Sequence, residues 1–189
     1  MRNLTDYELM QLIKLKQHMA LDILYDRYAT LIYSFAMKAL KDESSARDIV
    51  QSVFLRLWTT ESGYNPDKGR FTSWLLTITR NITIDWIRKE RRENNSVALE
   101  KEEMERIPDE LNASPEDRIL KETLKEQIRS AYNHLSKQQI MLLEHFYWQG
   151  YSLSELADIY NQPLGTVKNR LHQTLKILRR HLRAEGEGI

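Results

Sequence analysis

The sequence has no cysteine, few prolines and glycines, and no long apolar run. Without cysteine there can be no disulfide framework, no cysteine-ligated zinc site and no thiol nucleophile. No segment approaches the roughly 20 apolar residues that a membrane helix needs, and the N-terminus lacks the apolar region of a signal peptide. We therefore expect a soluble, cytoplasmic protein without membrane insertion of its own.

The net charge is close to zero, but the charges are unevenly distributed. The formal net charge of the 189 residues is +1. Residues 162–183 include six Lys and Arg and no Asp or Glu, whereas residues 93–117 include nine Asp and Glu. A local basic surface attracts phosphates even where the total charge is small. The C-terminal region is therefore the first candidate for a nucleic-acid contact.

With only four prolines and six glycines, long stretches of the chain are uninterrupted. In these stretches apolar residues recur at spacings of three and four, which indicates helices, and no run alternates strictly enough to indicate a sheet. We predict an all-α protein. Helix starts are marked by capping-box spacings and by a serine before a proline. These signals are Thr5 with Glu8, Ser136 with Gln139, Ser152 with Glu155, and Ser114 before Pro115.

The helical pattern forms two blocks, about residues 19–92 and 115–183, with a polar and acidic stretch between them. Such a stretch is typical of a linker. We predict two small helical domains, 1–92 and 115–189, joined by a flexible acidic linker at 93–114. The alternative is a long surface loop within one domain, but loops of that length are uncommon in compact domains.

Residues 151–172 have the pattern of a helix-turn-helix: a short capped helix, a tight turn, and a second helix opened by Pro163. The second helix of this motif enters the major groove, where short polar side chains contact base edges and flanking cations neutralise phosphates. Apolar residues from Leu164 to Leu182 form one stripe of this helix. The candidate DNA-contacting residues away from the stripe or at its flanks are Thr166, Lys168, Asn169, Arg170, His172 and Gln173, with Arg179 and Arg180 further along.

Two runs outside this motif carry a family resemblance. Asp48-Ile-Val-Gln-Ser-Val-Phe-Leu-Arg-Leu-Trp58 and the segment from Gly69 to Lys89 resemble domain 2 of extracytoplasmic-function (ECF) sigma factors. Residues 135–182 resemble their domain 4, including Gly150-Tyr-Ser-Leu-Ser-Glu-Leu-Ala157 and Pro163-Leu-Gly-Thr-Val-Lys-Asn-Arg-Leu171. The resemblance covers nearly the whole chain, and the two domains occur in the family's order.

The resemblance implies a subunit of RNA polymerase that recognises the −35 and −10 promoter elements, not an enzyme. It implies no catalytic residue, cofactor or metal. The implied partners are the β′ clamp helices and β flap of core RNA polymerase, promoter DNA, and an anti-sigma factor. In this family, a loop of domain 2 captures a flipped base of the −10 element, and the helix-turn-helix contacts the −35 element.

The resemblance assigns roles to residues of both domains. Polymerase binding is expected of Asp48, Gln51, Ser52 and Leu55. Contact with −10 DNA is expected of Tyr64, Lys68, Arg70, Thr77, Asn81, Arg88 and Lys89. Contact with −35 DNA is expected of Thr166, Lys168, Asn169, Arg170, His172 and Gln173. The family often has an acidic residue at Ser52, a serine at Asn169 and an arginine at Gln173, so we expect an individual −35 preference.

The residues themselves suit these roles. Asp48, Gln51 and Leu55 share one helical face. Tyr64 is able to stack on an unpaired base, and Asn81 offers both a donor and an acceptor. The polar stripe that contains Asn81 and Arg88 has an alternative explanation, an internal ladder of ion pairs through Asp85.

Two other classes of protein compete with this interpretation. A helix-turn-helix regulator with an unrelated N-terminal domain would not explain the two runs of residues 48–58 and 69–89. A nuclease or recombinase would need clustered carboxylates or a positioned nucleophile. The acidic residues instead concentrate in the expected linker, and none of the five histidines forms a His-x-x-x-His pair.

Overall fold

The computed structural model describes residues 4–60, 63–93, 126 and 128–184. Within these ranges the regular structure is helical and there is no strand, which confirms the all-α prediction. The chain divides into two compact units, Met1–Ile107 and Pro108–Ile189. The expected linker at 93–114 lies outside the described residues except for Glu93, so the domain boundaries stay predictions. None of the described helices is both long and apolar enough to cross a membrane.

The described part of the N-terminal unit, residues 4–60 and 63–93, contains four α-helices and one short 3₁₀ turn. The helices are α1 (Asp6–Lys14), α2 (His18–Leu40), α3 (Glu43–Thr59) and α4 (Phe71–Glu93), and the turn spans Pro66–Lys68. Helix α2 packs against each of the other three. All four helices contribute to one apolar core, because each buries one stripe of aliphatic or aromatic side chains. Among its most buried members are Leu9, Ile13, Leu24, Ile32, Ile49, Val53 and Leu75.

Local hydrogen bonds explain where these helices begin and end. The predicted capping box at Thr5 and Glu8 is present at the start of α1. Asp42 caps α3, because its carboxylate accepts a 2.7 Å hydrogen bond from the backbone of Ser45. Between α1 and α2, Lys16 has a left-handed backbone with φ 59°. Its ammonium donates a 2.8 Å hydrogen bond to the carbonyl of Trp58, one of the last residues of α3.

In the described residues of the C-terminal unit, a helical stretch at 128–133 is followed by three further helices. They are α5 (Lys137–Tyr147), α6 (Leu153–Ile159) and α7 (Leu164–Ala184). The capping boxes predicted at Ser136 and Ser152 are both present, whereas Ser114 and Pro115 lie outside the described residues. The buried core of this unit is formed by Leu135, Leu142, Leu143, Leu156, Ala157, Val167 and Leu171.

Three buried threonines satisfy their hydroxyl groups within their own helices. Thr79 and Thr83 donate to the carbonyls of Leu75 and Thr79 in α4, at 3.0 and 2.8 Å. Thr174 donates to the carbonyl of Arg170 in α7 at 2.8 Å. Each hydroxyl is thus hydrogen-bonded four residues back, which allows a polar residue to lie in an apolar core without the penalty for an unpaired group.

Candidate nucleic-acid interface

Helices α6 and α7 form the helix-turn-helix. Asn161 adopts a left-handed backbone with φ 47°, a conformation that asparagine tolerates better than most residues. The backbone N–H of Gln162 donates to the carbonyl of Ala157 at 2.9 Å and closes the turn. Thr166 N–H donates to the carbonyl of Pro163, also at 2.9 Å, and starts α7. These local bonds define the turn, and packing of Leu156 and Ala157 with Val167 and Leu171 holds α6 and α7 together.

Helix α7 separates a packing face from a polar face. Val167, Leu171 and Thr174 are buried against α5 and α6. Of the candidate DNA-contacting residues, Thr166, Lys168, Asn169, His172 and Gln173 are exposed and Arg170 is half-buried. The two ends of the expected apolar stripe are more exposed than its middle, with Leu164 at 38% and Leu182 at 37%. One continuous face of short polar and basic side chains is therefore open to a ligand.

A contact that the sequence did not reveal joins α5 to the turn of the helix-turn-helix. His145 Nδ1 and the Tyr160 hydroxyl lie 2.8 Å apart, and the two rings stack. Burial lowers the pKa of His145 and raises the pKa of Tyr160, the latter opposed by the nearby positive charge of Arg170. The pair therefore ties α5 to the end of α6, directly before the turn of the helix-turn-helix.

The residues expected to bind polymerase lie on α3. Asp48 and Gln51 are exposed, and Leu55 is 62% exposed despite its apolar side chain. Ser52 is half-buried at the edge of this face. The opposite face of α3 buries six apolar residues in the core. The structure thus brings the four predicted residues together on one outward face, which carries no part of the buried core.

The loop before α4 is held by its own contacts. Asn65 accepts a 2.9 Å hydrogen bond from the backbone of Asp67, and Gly69 has φ 138°, a conformation that favours glycine. Tyr64 is half-buried, its hydroxyl donates to the carbonyl of Gly69 at 2.7 Å, and its ring packs edge-on against Phe71. These contacts order the loop, and Lys68 and Arg70 are exposed on its outside. Stacking of Tyr64 on a base, which was expected from the sequence, stays a prediction.

Helix α4 carries the rest of the predicted −10 contacts. Thr77, Asn81 and Lys89 are exposed and Arg88 is half-buried. The hydroxyl of Thr77 already donates to the carbonyl of Ser73 at 2.8 Å, which leaves only its acceptor capacity for a ligand. Three aromatic residues of α4 pack on the core: Phe71 is buried, and Trp74 and Trp86 pack on the core from its edge.

An open groove of about 610 Å³ lies between the start of α1 and the loop before α4. Thr5, Asp6 and Tyr7 line one side of the groove, and Pro66 and Arg70 line the other. This groove could not be predicted from the sequence, because its two sides are more than 50 residues apart along the chain.

The histidines do not form a metal centre in the described part of the chain, where no group of three or more His, Asp or Glu is placed to hold an ion. The fold does bring His134 and His181 together, with ring centroids 3.6 Å apart and planes nearly parallel. In a face-to-face stack the lone pairs of the two rings do not converge on one point, so this geometry serves packing rather than ligation.

These features define a class: a two-unit helical protein that presents a DNA-binding helix-turn-helix in its C-terminal unit. Known proteins narrow the class. The family model for sigma-70 region 2 matches residues 24–93, and the model for sigma-70 region 4 matches residues 125–178. These two segments contain every residue to which the family resemblance assigned a contact, and Arg179 and Arg180 follow directly after the second segment.

Curated relatives agree with the family models. The ECF RNA polymerase sigma factor SigL of Mycobacterium tuberculosis is 31% identical over 165 residues, covering 86% of this chain and 89% of the relative. The ECF RNA polymerase sigma factor SigX of Bacillus subtilis is 28% identical over 173 residues, covering 85% and 82%. Among solved structures, Rhodobacter sphaeroides SigE in complex with the anti-sigma ChrR has a TM-score of 0.42 at 23% identity, covering 92% and 95%.

The chain belongs to the ECF family of RNA polymerase sigma factors. Sigma factors are transcription initiation factors and not enzymes, and they act by binding core RNA polymerase and promoter DNA.

Proposed function

We propose that this sigma factor directs core RNA polymerase to promoters by reading the −35 element with α7 and holding a flipped −10 base near the loop at 63–70. Promoter recognition would take place in the cytoplasm, where RNA polymerase and chromosomal DNA are located. The observation that carries the proposal is the division of α7 into a buried packing face and an exposed polar face.

At the −35 element, Thr166, Asn169 and Gln173 would face base edges in the major groove. Amide side chains are suited to this, because each offers a donor and an acceptor that can pair bidentately with adenine. Beside them, the exposed Lys168 and His172 and the half-buried Arg170 would contact phosphates. Phosphate contacts fix the position of the helix and base contacts specify the sequence.

On polymerase, the face of Asp48, Gln51, Ser52 and Leu55 would dock on the β′ clamp helices. An exposed leucine beside an exposed carboxylate suits a helical partner, which supplies apolar contact and a positive charge together. The β flap is the proposed partner of the C-terminal unit, and membership in the ECF family motivates the proposal of an anti-sigma factor that keeps the protein inactive. In support of a partner, the C-terminal unit exposes Met141 to 50% and Ile159 to 54%.

At the −10 element, the N-terminal unit would hold a base that has left the stack. Proteins capture such bases by stacking and by hydrogen bonds to the exposed edge. Asn81 is exposed, and its Oδ1 accepts a long hydrogen bond of 3.5 Å from the guanidinium of Arg80. Asn81 could exchange this weak contact for hydrogen bonds to the edge of the base. Lys68, Arg70, Arg88 and Lys89 would contact the backbone of the opened strand, and Thr77 would contribute an acceptor.

In vitro transcription with core RNA polymerase on a randomised promoter library tests the −35 assignment. Asn169→Ala and Gln173→Ala should each change the preference at particular −35 positions, by about 1–3 kcal/mol per lost bidentate pair. The control variants Arg179→Ala and Arg180→Ala should weaken all sequences alike and flatten the salt dependence. A uniform loss from Asn169→Ala across the library would contradict base reading by α7.

Permanganate reactivity of unpaired thymines tests the −10 assignment. Asn81→Ala should leave binding to duplex promoters nearly unchanged and reduce open-complex formation by about tenfold, since a contact of about 1.4 kcal/mol is lost only after opening. A promoter pre-opened by mismatches should recover part of this loss. Glu90→Ala, at another exposed position of α4, is the matched control. Equal opening by the Asn81→Ala variant and the parent would refute the capture role of Asn81.

A further inference from the structure

We infer that Tyr7, at the start of α1, is a stacking surface for the captured −10 base. The inference rests on the proposed function, in which the N-terminal unit holds an unpaired base. It adds a residue that lies outside the runs compared with the family and outside the region 2 match, which begins at residue 24.

The first step is that Tyr64 is already engaged. Its ring lies edge-on to Phe71 at a centroid distance of 5.3 Å and is tilted against Trp74 at 5.8 Å. Its hydroxyl donates to Gly69 at 2.7 Å. These contacts cover part of the Tyr64 ring and leave Tyr64 less exposed than Tyr7, so a base in the groove has a second, more open aromatic surface beside it.

The second step is the groove next to this loop. Its volume of about 610 Å³ is within the range of sites that hold small planar ligands. Tyr7 lines the α1 side, and Tyr64, Pro66 and Arg70 line the loop side. Tyr7 is 43% exposed, more than the half-buried Tyr64. A base displaced from the duplex beside the loop would find a flat apolar partner here.

The third step is that the backbone at Tyr7 is fixed. The carboxylate of Asp6 accepts hydrogen bonds from Arg27 at 2.9 Å and from the Tyr28 hydroxyl at 2.7 Å. Arg27 also donates to the carbonyl of Leu4 at 2.9 Å, and Thr5 and Glu8 form the capping box. These bonds hold the first turn of α1 on α2, so little ordering entropy remains to be lost when a ligand binds.

The fourth step is the charge around the groove. Asp6 is paired with Arg27, so its negative charge is largely compensated. Lys68 and Arg70 lie exposed on the loop side, where they are placed to attract the phosphates next to the base. The groove therefore combines an aromatic wall with a cationic rim, the two elements by which proteins bind single-stranded DNA.

The test uses holoenzyme assembled from core RNA polymerase and the full chain. The probe is a single-stranded DNA of the non-template −10 sequence that the parent holoenzyme selects from a random library. A series of probes carries an abasic site at each position in turn. In the parent, removal of one base should weaken binding by about fivefold or more. Tyr7→Ala should weaken binding of the intact probe to a similar extent. In the Tyr7→Ala variant, the abasic site that weakens binding by the parent should cause little additional loss of affinity.

Tyr7→Phe should behave like the parent, because the ring remains. Tyr7→Leu keeps apolar bulk without the ring and should reproduce the loss, which makes the test independent of any folding defect in Tyr7→Ala. Tyr25→Ala removes a tyrosine of similar exposure, 48%, that does not line the groove, and should keep the full abasic penalty.

The two possible failures are distinguishable. If no abasic position weakens binding of the parent, base capture by this sigma factor is wrong. If one position does so and Tyr7→Ala and Tyr7→Leu retain the whole penalty there, base capture stands and Tyr7 is not the stacking surface.

Discussion

Replacing Ser152 by alanine tests how strongly a single cap supports the DNA-binding unit. Ser152 Oγ accepts a 3.1 Å hydrogen bond from the backbone of Glu155, and the carboxylate of Glu155 accepts a 2.6 Å bond from the backbone of Ser152. Helix α6 has only seven residues, so it depends on its cap and on burial of Leu156 and Ala157. Loss of a serine cap costs about 1 kcal/mol of stability. At 1.4 kcal/mol per decade, the opening equilibrium of the unit should rise by about fivefold.

Amide hydrogen exchange of the full chain, followed by mass spectrometry, measures this opening for α6 and α7 separately from the N-terminal unit. Ser152→Ala should speed exchange of peptides from 153–178 by about fivefold and leave peptides from α1 to α3 unchanged. Ser154→Ala is the matched control, because Ser154 is exposed on the same helix. Ser152→Asp should restore slow exchange, since aspartate also caps helices. Exchange in Ser152→Ala no faster than in Ser154→Ala would refute the importance of the cap.

Three further predictions concern the core, the polymerase face and acid stability. Leu156→Ala, at a fully buried site, should lower the free energy of unfolding of the C-terminal unit by about 2–5 kcal/mol in urea denaturation, whereas the exposed Ile159→Ala should change it by about 0.5 kcal/mol or less. Asp48→Arg should weaken binding to core polymerase by about tenfold in a titration without DNA. Asp158→Arg, an equal charge reversal at an exposed position of α6, should leave this affinity unchanged. Equal affinities of the Asp48→Arg variant and the parent would contradict docking through α3. The backbone hydrogen bond from Ser45 lowers the pKa of Asp42, so the ionised carboxylate stabilises the N-terminal unit at pH values above the unfolded pKa, and this contribution is lost as the pH falls through the lowered pKa. Asp42→Asn keeps a capping oxygen and should make the denaturation midpoint of that unit less sensitive to acid. An unchanged pH profile of the midpoint would argue against this linkage.

Features set by local chemistry were predictable from the sequence. The capping boxes at Thr5, Ser136 and Ser152 were identified from the spacing alone, and each is present. The helix-turn-helix was also predictable, because the periodicity of α7 and the position of Pro163 are properties of adjacent residues. The separation of the two faces of α7 follows from the same periodicity.

Features set by distant contacts were not predictable. The break between α1 and α2 occurs at Lys16, where neither glycine nor proline marks it, and a contact with Trp58 of α3 supports the left-handed backbone. The orientation of Tyr64 depends on the backbone of Gly69 and on the rings of α4.

The two-faced construction of α7 has a consequence for how such proteins diverge. Asn169 and Gln173 are exposed and contribute no contact to the buried core, so substitutions there change the free energy of folding by only about 0.5 kcal/mol. After gene duplication, a copy could acquire a new promoter preference through one or two such changes while keeping its stability. Several sigma factors of one ancestry could thus serve separate sets of genes in the same cell.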